Sequence, residues 1–124
     1  MKTGEKGFSL METLLALGLV SLIAAALLAG MATVARGTIV ADQQAAAETL
    51  ARSQMEALKA APYVTGAVSY SPAPLPSDTE YSGYAVNVTA APLHTPDDGL
   101  QKVTVTISKN SRQIMALAGY KVNR

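Results

Sequence analysis

Between Phe8 and Ala35 the chain carries a single charged side chain, Glu12, and from Thr13 to Ala35 it carries none. No other feature so narrows what the chain can fold into. As a helix that uncharged run spans about 34 Å, more than the roughly 30 Å hydrocarbon core of a bilayer, so it can cross a membrane with some tilt. Lipid offers no partner to a backbone amide, so a segment at that depth must be helical. Gly18, Ser21 and Gly30 are tolerated in such a helix and permit close approach by neighbouring helices. Lys2 and Lys6 precede the run, offset by Glu5, and Arg36 and Asp42 follow it. This basic asymmetry predicts an amino end in the cytoplasm and the rest of the chain outside.

The same residues can be read as an ordinary secretory signal peptide. Lys2 and Lys6 would be its basic region, Leu14 to Ile23 its apolar region and Ala24-Ala25-Ala26 its cleavage site. Two features oppose that reading. The apolar run continues through Leu27, Leu28 and Met31, and a carboxylate sits at Glu12 near the start of the run. Composition alone leaves both readings open. It does bound the remainder: with 124 residues, 49% hydrophobic and 5% aromatic, any folded head is small and lightly packed. A net charge of +1 argues against a nucleic-acid-binding protein, which needs a basic excess on one face. The absence of cysteine excludes disulfides, thiolate metal sites and a thiol nucleophile.

At the head of the run stands Lys6-Gly7-Phe8-Ser9-Leu10-Met11-Glu12-Thr13-Leu14-Leu15-Ala16. It resembles the cleavage and methylation signature of type IV prepilins and of the pseudopilins of type II secretion. The resemblance implies a prepilin peptidase that cuts after Gly7 and N-methylates Phe8, which becomes the first residue of the mature chain. It makes Glu12 the fifth mature residue and assigns it to subunit recognition during filament assembly. Elementary chemistry is consistent with each position. Glycine presents an unobstructed, flexible peptide at a cut. A carboxylate just inside the apolar zone is costly, about 2.5–3.5 kcal/mol at mid-helix on insertion scales and less near the interface. Two readings of Glu12 follow: a carboxylate that snorkels to the interface beside the positive helix N-terminus, or, as the resemblance implies, an anion that meets the Phe8 ammonium of a neighbouring subunit.

Beyond Ala35 the stretch from Ile39 to Ala61 is rich in helix-favouring residues. Ala47, Leu50, Ala51, Leu58 and Ala61 form a stripe at helical spacing, and Glu48–Arg52 and Arg52–Glu56 are i,i+4 pairs. The spacing predicts one helix from Phe8 to Ala61, ended by Pro62, with Gly37 as the weak point between its halves. The stretch Leu50 to Tyr63 also resembles one common in minor pilins and pseudopilins of the I and V kinds. Many major pilins have a proline inside the membrane helix; this chain has none before Pro62, which favours a minor subunit.

From Val64 to Glu80 the alternating Pro72, Pro74 and Pro76 predict an irregular connection with at most a short extended piece at Val68 to Tyr70. Tyr84, Val86 and Val88, then Val103, Val105 and Ile107, alternate with polar or small residues as half-buried strands do. Pro96-Asp97-Asp98-Gly99 supplies a turn between them, and Lys109-Asn110-Ser111-Arg112 a second. Gln113 to Val122 reads as a third strand, although Ile114, Leu117 and Ala118 also fit a helical turn. The expected fold is therefore α+β and, by the resemblance, pilin-like. It comprises leader 1–7, filament-core helix 8–35, helix continuation 36–61, Pro-rich loop 62–80 and β-meander head 81–124.

No arrangement for catalysis emerges, and the chain reads as the substrate of an enzyme, not as one. His94 is the sole histidine. Asp78, Glu80, Asp97 and Asp98 could offer oxygens to calcium but match no ordered calcium loop, so they read as surface turn residues and no cofactor is expected. Asn87-Val88-Thr89 is a glycosylation sequon inside an expected strand, and the five tyrosines read as cover for a small core. The resemblance implies a minor pilin or pseudopilin at the inner membrane and then in a filament. Its partners would be prepilin peptidase, other pilin or pseudopilin subunits, the inner-membrane assembly platform and the lipid itself, without nucleic acid. The alternatives are an exported binding module with a removed signal peptide, or a static single-pass anchor.

Overall fold

A computed structural model describes Gly7 and residues 9–124. In chain order it contains helix α1 (Leu10–Ala60), a single 3-10 turn (Thr79–Tyr81), and strands β1 (Tyr84–Pro92), β2 (Leu100–Lys109) and β3 (Arg112–Val122). The arrangement is α+β: one long N-terminal helix and a three-stranded antiparallel sheet of order β1-β2-β3. The expected helix start at Phe8 lies outside the described residues. At the other end α1 stops at Ala60, one residue short of expectation, because the residue before a proline is driven from helical backbone angles. Gly37 lies within the helix and does not break it.

The chain divides into two compact units, one running to Ile39 and the other from Val40 to Arg124. In the first, every described residue is exposed, including Leu17 at 60% and Val34 at 67%. A helix this apolar with no buried face needs lipid or other chains around it. Its few hydroxyls are satisfied locally: Ser21 donates to the Leu17 carbonyl at 2.7 Å and Thr33 to that of Ala29 at 2.9 Å. No such group is left for the surroundings to solvate.

In the second unit Ala46, Ala47, Leu50, Ala51, Gln54, Met55 and Leu58 form the buried face of α1. Their spacing is that of one helical stripe. They share a core with Tyr84, Val88 and Ala90 of β1 and Val103, Val105 and Ile107 of β2. Val88 pairs with Val105 and Ala90 with Val103, so the apolar phases of the two strands coincide on one face. The segment whose sequence also suited a helical turn is strand β3, paired with β2 from Leu100↔Val122 to Lys109↔Arg112. Pairing shifts between Ile107 and Ser108, which leaves Ile114 as the extra residue of a bulge. On β3, Gly119 packs closely on α1: a Cβ there would lie 3.0 Å from the Met55 sulfur, so the Met55 side chain would have to shift.

The turn between β2 and β3 has two central residues, Asn110 (φ 49°) and Ser111 (φ 66°), both in the left-handed region. That is the type I′ geometry whose twist suits a hairpin. Asn accepts it readily, whereas Ser in this region is disfavoured by about 1 kcal/mol. Ser111→Gly is expected to stabilise the head by about that amount, read as a higher midpoint in thermal unfolding. An unchanged or lower midpoint would count against the turn geometry.

The connection from Ala61 to Asp78 is irregular, as its prolines require, but it is pinned to α1 at one place and to β1 at another. Gln54, 3% exposed on α1, donates from Nε2 to the Ala73 carbonyl at 3.0 Å and accepts from the Ala73 amide at 2.8 Å. The side-chain amide thus stands in for a strand neighbour beside a segment that prolines keep out of a sheet. Second, Ser69 bridges Thr89, and the Ala90 amide donates to the Val68 carbonyl at 2.9 Å. The expected extended piece at Val68 to Tyr70 therefore pairs with β1 at this single bridge.

Candidate functional site

Sequence places the chemistry at the start of α1. Gly7 is exposed and non-helical, and a Cβ added to it would meet nothing within 4 Å. Phe8, expected to be the cut and methylated residue, lies outside the described residues. Ser9 caps the helix: its Oγ accepts from the Glu12 amide at 3.2 Å. Ser9-Leu10-Met11-Glu12 is thus a capping-box pattern, a local role for these residue types that the sequence reading did not weigh. The reciprocal bond from the Ser9 amide to the Glu12 carboxylate is absent. Among the described residues that carboxylate has no hydrogen-bond or ion-pair partner. It sits in the first turn of α1, where the positive end of the helix favours an anion.

A second polar constellation lies in the head. The carboxylate of Asp97, at the tip of the β1–β2 connection, receives four hydrogen bonds. Tyr63 Oη (2.5 Å) and the Gly99 amide (3.0 Å) donate to Oδ1. The Gly66 amide (2.8 Å) and Gln101 Nε2 (2.7 Å) donate to Oδ2. Gln101, fully buried, also donates to the Val64 carbonyl at 2.9 Å and accepts from Tyr70 Oη at 2.7 Å. The network latches the segment after α1 to the start of β2. It holds the Asp97 carboxyl well below the usual range, chiefly through the Gly66 amide and then the Tyr63 hydroxyl. Burial, then the bond to Asp97, pushes the Tyr63 hydroxyl up.

A carboxylate whose folded pKa is depressed stabilises the fold above its unfolded value, about 3.9, and that contribution fades as pH falls toward the folded pKa. Thermal midpoints are therefore expected to hold near neutrality and fall by several degrees below about pH 4. In Asp97→Ala the midpoint should start lower and fall less over the same interval. Parallel acid limbs for the two proteins would refute the latch.

Of the calcium candidates, Asp97 already receives four protein donors and Asp98 meets His94 Nδ1 at 2.8 Å. Among the described residues no three His, Asp or Glu side chains form a group that could hold a metal ion. Three of the tyrosines cover the core as expected, Tyr84 within it and Tyr70 and Tyr81 packed against it, and hydroxyl contacts add to that role. Tyr84 is buried in the core, which raises its hydroxyl pKa, whereas Tyr63 and Tyr70 act through their hydroxyls in the latch. One further polar residue went unread: Lys121 on β3 is 2% exposed and donates to the Leu58 and Ala61 carbonyls at the end of α1. It therefore caps the helix C-terminus from the sheet. The available signal was phase, since Gln54, Gln101 and Lys121 each fall on the inward face of an element.

The described residues thus offer two things for function: an apolar stretch of α1, up to Ile39, with no buried face and a lone acid in its first turn, and a small latched head. No protein-family model, no curated protein and no solved structure matches this chain.

Proposed function

We propose that the chain is a minor pilin or pseudopilin, a structural subunit of a type IV pilus or of a type II secretion pseudopilus. Prepilin peptidase cuts it after Gly7 and methylates Phe8; the subunit then leaves the inner membrane for a filament through its N-terminal helix. The observation that carries this reading is the fixed register of Lys6, Gly7, Phe8 and Glu12 ahead of a helix whose first uncharged stretch is exposed on every side. Support also comes from the helix running without a break through Ala24-Ala25-Ala26, where a signal peptide would end. In this role the neighbouring subunits supply both the apolar cover of the helix and the ammonium that meets Glu12.

Glu12→Ala tests the role of the carboxylate. The Ser9 cap uses the backbone amide of residue 12, so the helix start survives the substitution. The variant is expected to be cut and methylated normally yet to reach sheared filaments at a level lower by about tenfold or more, because an unpaired Phe8 ammonium in apolar surroundings is penalised. Incorporation equal to that of the unsubstituted chain would remove the assigned role.

A further inference from the structure

The sheet has two unlike edges. The β1 edge is closed where Ser69 bridges Thr89, where the Val68 carbonyl takes the Ala90 amide, and at Pro92, which has no amide to offer. Strand β3, 11 residues long, pairs with β2 on one side and with no strand among the described residues on the other. In an antiparallel pair, residues that bond across the ladder alternate with residues whose backbone groups point away. The Asn123 amide donates to the Gly99 carbonyl at 2.8 Å, which fixes that phase for β3. Leu117 and Gly119 bond to β2, whereas Ala116, Ala118, Tyr120 and Val122 aim their amides and carbonyls at the free side. No backbone hydrogen bond among the described residues reaches them there. From Ala116 to Val122 there is no proline, and the one charge, Lys121, is turned inward and already bonded to the end of α1.

A row of alternating amides and carbonyls is complemented by an extended polypeptide and by no small molecule. The two faces of β3 indicate which side chains that polypeptide carries. Toward α1, Met115 and Leu117 are only partly buried against the core, because no strand lies beyond them. On the opposite, outer face Lys102, the cross-strand neighbour of Tyr120, is exposed and has no acidic partner among the described residues. From Leu100 to Arg124 the chain carries five cations and no Asp or Glu. Antiparallel pairing with β3 of a second copy would bring Arg112 of each chain toward Arg124 of the other, so charge opposes self-pairing and favours an acidic strand. We propose that β3 accepts a further strand from a partner protein, an extended segment with apolar side chains toward α1 and carboxylates on the outer face. The site lies within the unit from Val40 to Arg124 and is independent of the filament reading.

The test uses the full chain in phosphatidylcholine nanodiscs, with empty discs as the blank. The probe is a fluorescent peptide alternating Glu and Val, and its control has the same composition with Glu and Val in separate blocks. The alternating peptide is expected to bind at least about tenfold tighter than the block peptide. Two further peptides carry N-methyl groups on every Glu amide or on every Val amide. An added strand turns only one of these sets toward β3, so one methylated peptide should bind and the other should not. Ala118→Pro removes an amide that faces away from β2; it should abolish binding while the thermal midpoint holds. Lys102→Glu should weaken the alternating peptide by about tenfold. The proposal is overturned if the alternating and block peptides bind alike, or if neither binds, as when a second copy already occupies the edge. It is equally overturned if both methylated peptides bind or both fail, or if Ala118→Pro binds normally. If Ala118→Pro does not fold, the methylated peptides and Lys102→Glu decide.

Discussion

A Gly7→Val chain, expressed with a prepilin peptidase, is expected to accumulate in the membrane as uncut precursor, with loss of essentially all processed product. The structure makes this a clean experiment. Gly7 is exposed, precedes the helix, and has open space where a side chain would go. No part of the described fold needs glycine there, so a block would arise in the protease and not from misfolding. A protease must thread the peptide through its active site with the backbone accessible, and a β-branched residue at that position is both bulkier and stiffer. Gel mobility or intact mass distinguishes precursor from product. Normal processing of Gly7→Val would show that the glycine is not read by the enzyme and would weaken the assignment of the whole motif.

The second large effect concerns the head. Gln54→Leu is expected to destabilise it by about 2 kcal/mol, because two hydrogen bonds to Ala73 vanish and the Pro-rich segment loses its attachment to α1. In a unit of this size that corresponds to a fall of roughly 10 °C in the thermal midpoint. Gln54→Glu keeps the acceptor for the Ala73 amide but sets a carboxylate oxygen against the Ala73 carbonyl, so it should be worse than Leu despite its closer shape. If Gln54→Glu proves as stable as the unsubstituted chain, the amide is not the pin described here.

Gln54 also marks the boundary between what is legible in the sequence and what is not. The period-two runs at Tyr84 to Val88 and Val103 to Ile107 identify β1 and β2 because their alternate residues must share one buried face. Pro62 marks the end of α1, since a proline cannot continue a helix. The third strand was ambiguous because Ile114, Leu117 and Ala118 suit either period. Tertiary pairing decides it, through a tight turn at Asn110-Ser111 that returns the chain beside β2. The polar anchors were hidden for another reason. Gln54, Gln101 and Lys121 lie in phase with apolar neighbours, and composition ranks them as solvent-facing, whereas the fold gives each a backbone partner more than 18 residues away or a partner on another element. Asp97 looked like one acidic turn residue among several; what distinguishes it is the convergence of Tyr63, Gly66, Gly99 and Gln101, which no local pattern encodes.

The apolar half of α1 is the reverse case. Its length and lack of charge are plain in the sequence, and the structure adds that its side chains are exposed throughout, with the hydroxyls turned back on the helix. The unit from Val40 to Arg124 has its own core, to which α1 contributes Ala46 to Leu58, whereas the stretch of α1 up to Ile39 buries no side chain. Its proposed task is contact with lipid first and with other subunits later.

The central claim is tested most directly by the amino-terminal sequence and intact mass of the chain extracted from cell membranes with detergent. The account predicts a mature chain that begins at Phe8 with one added methyl group on its nitrogen. A chain that begins near Leu27 and is recovered in the water-soluble fraction, or one that still begins at Met1, would contradict it.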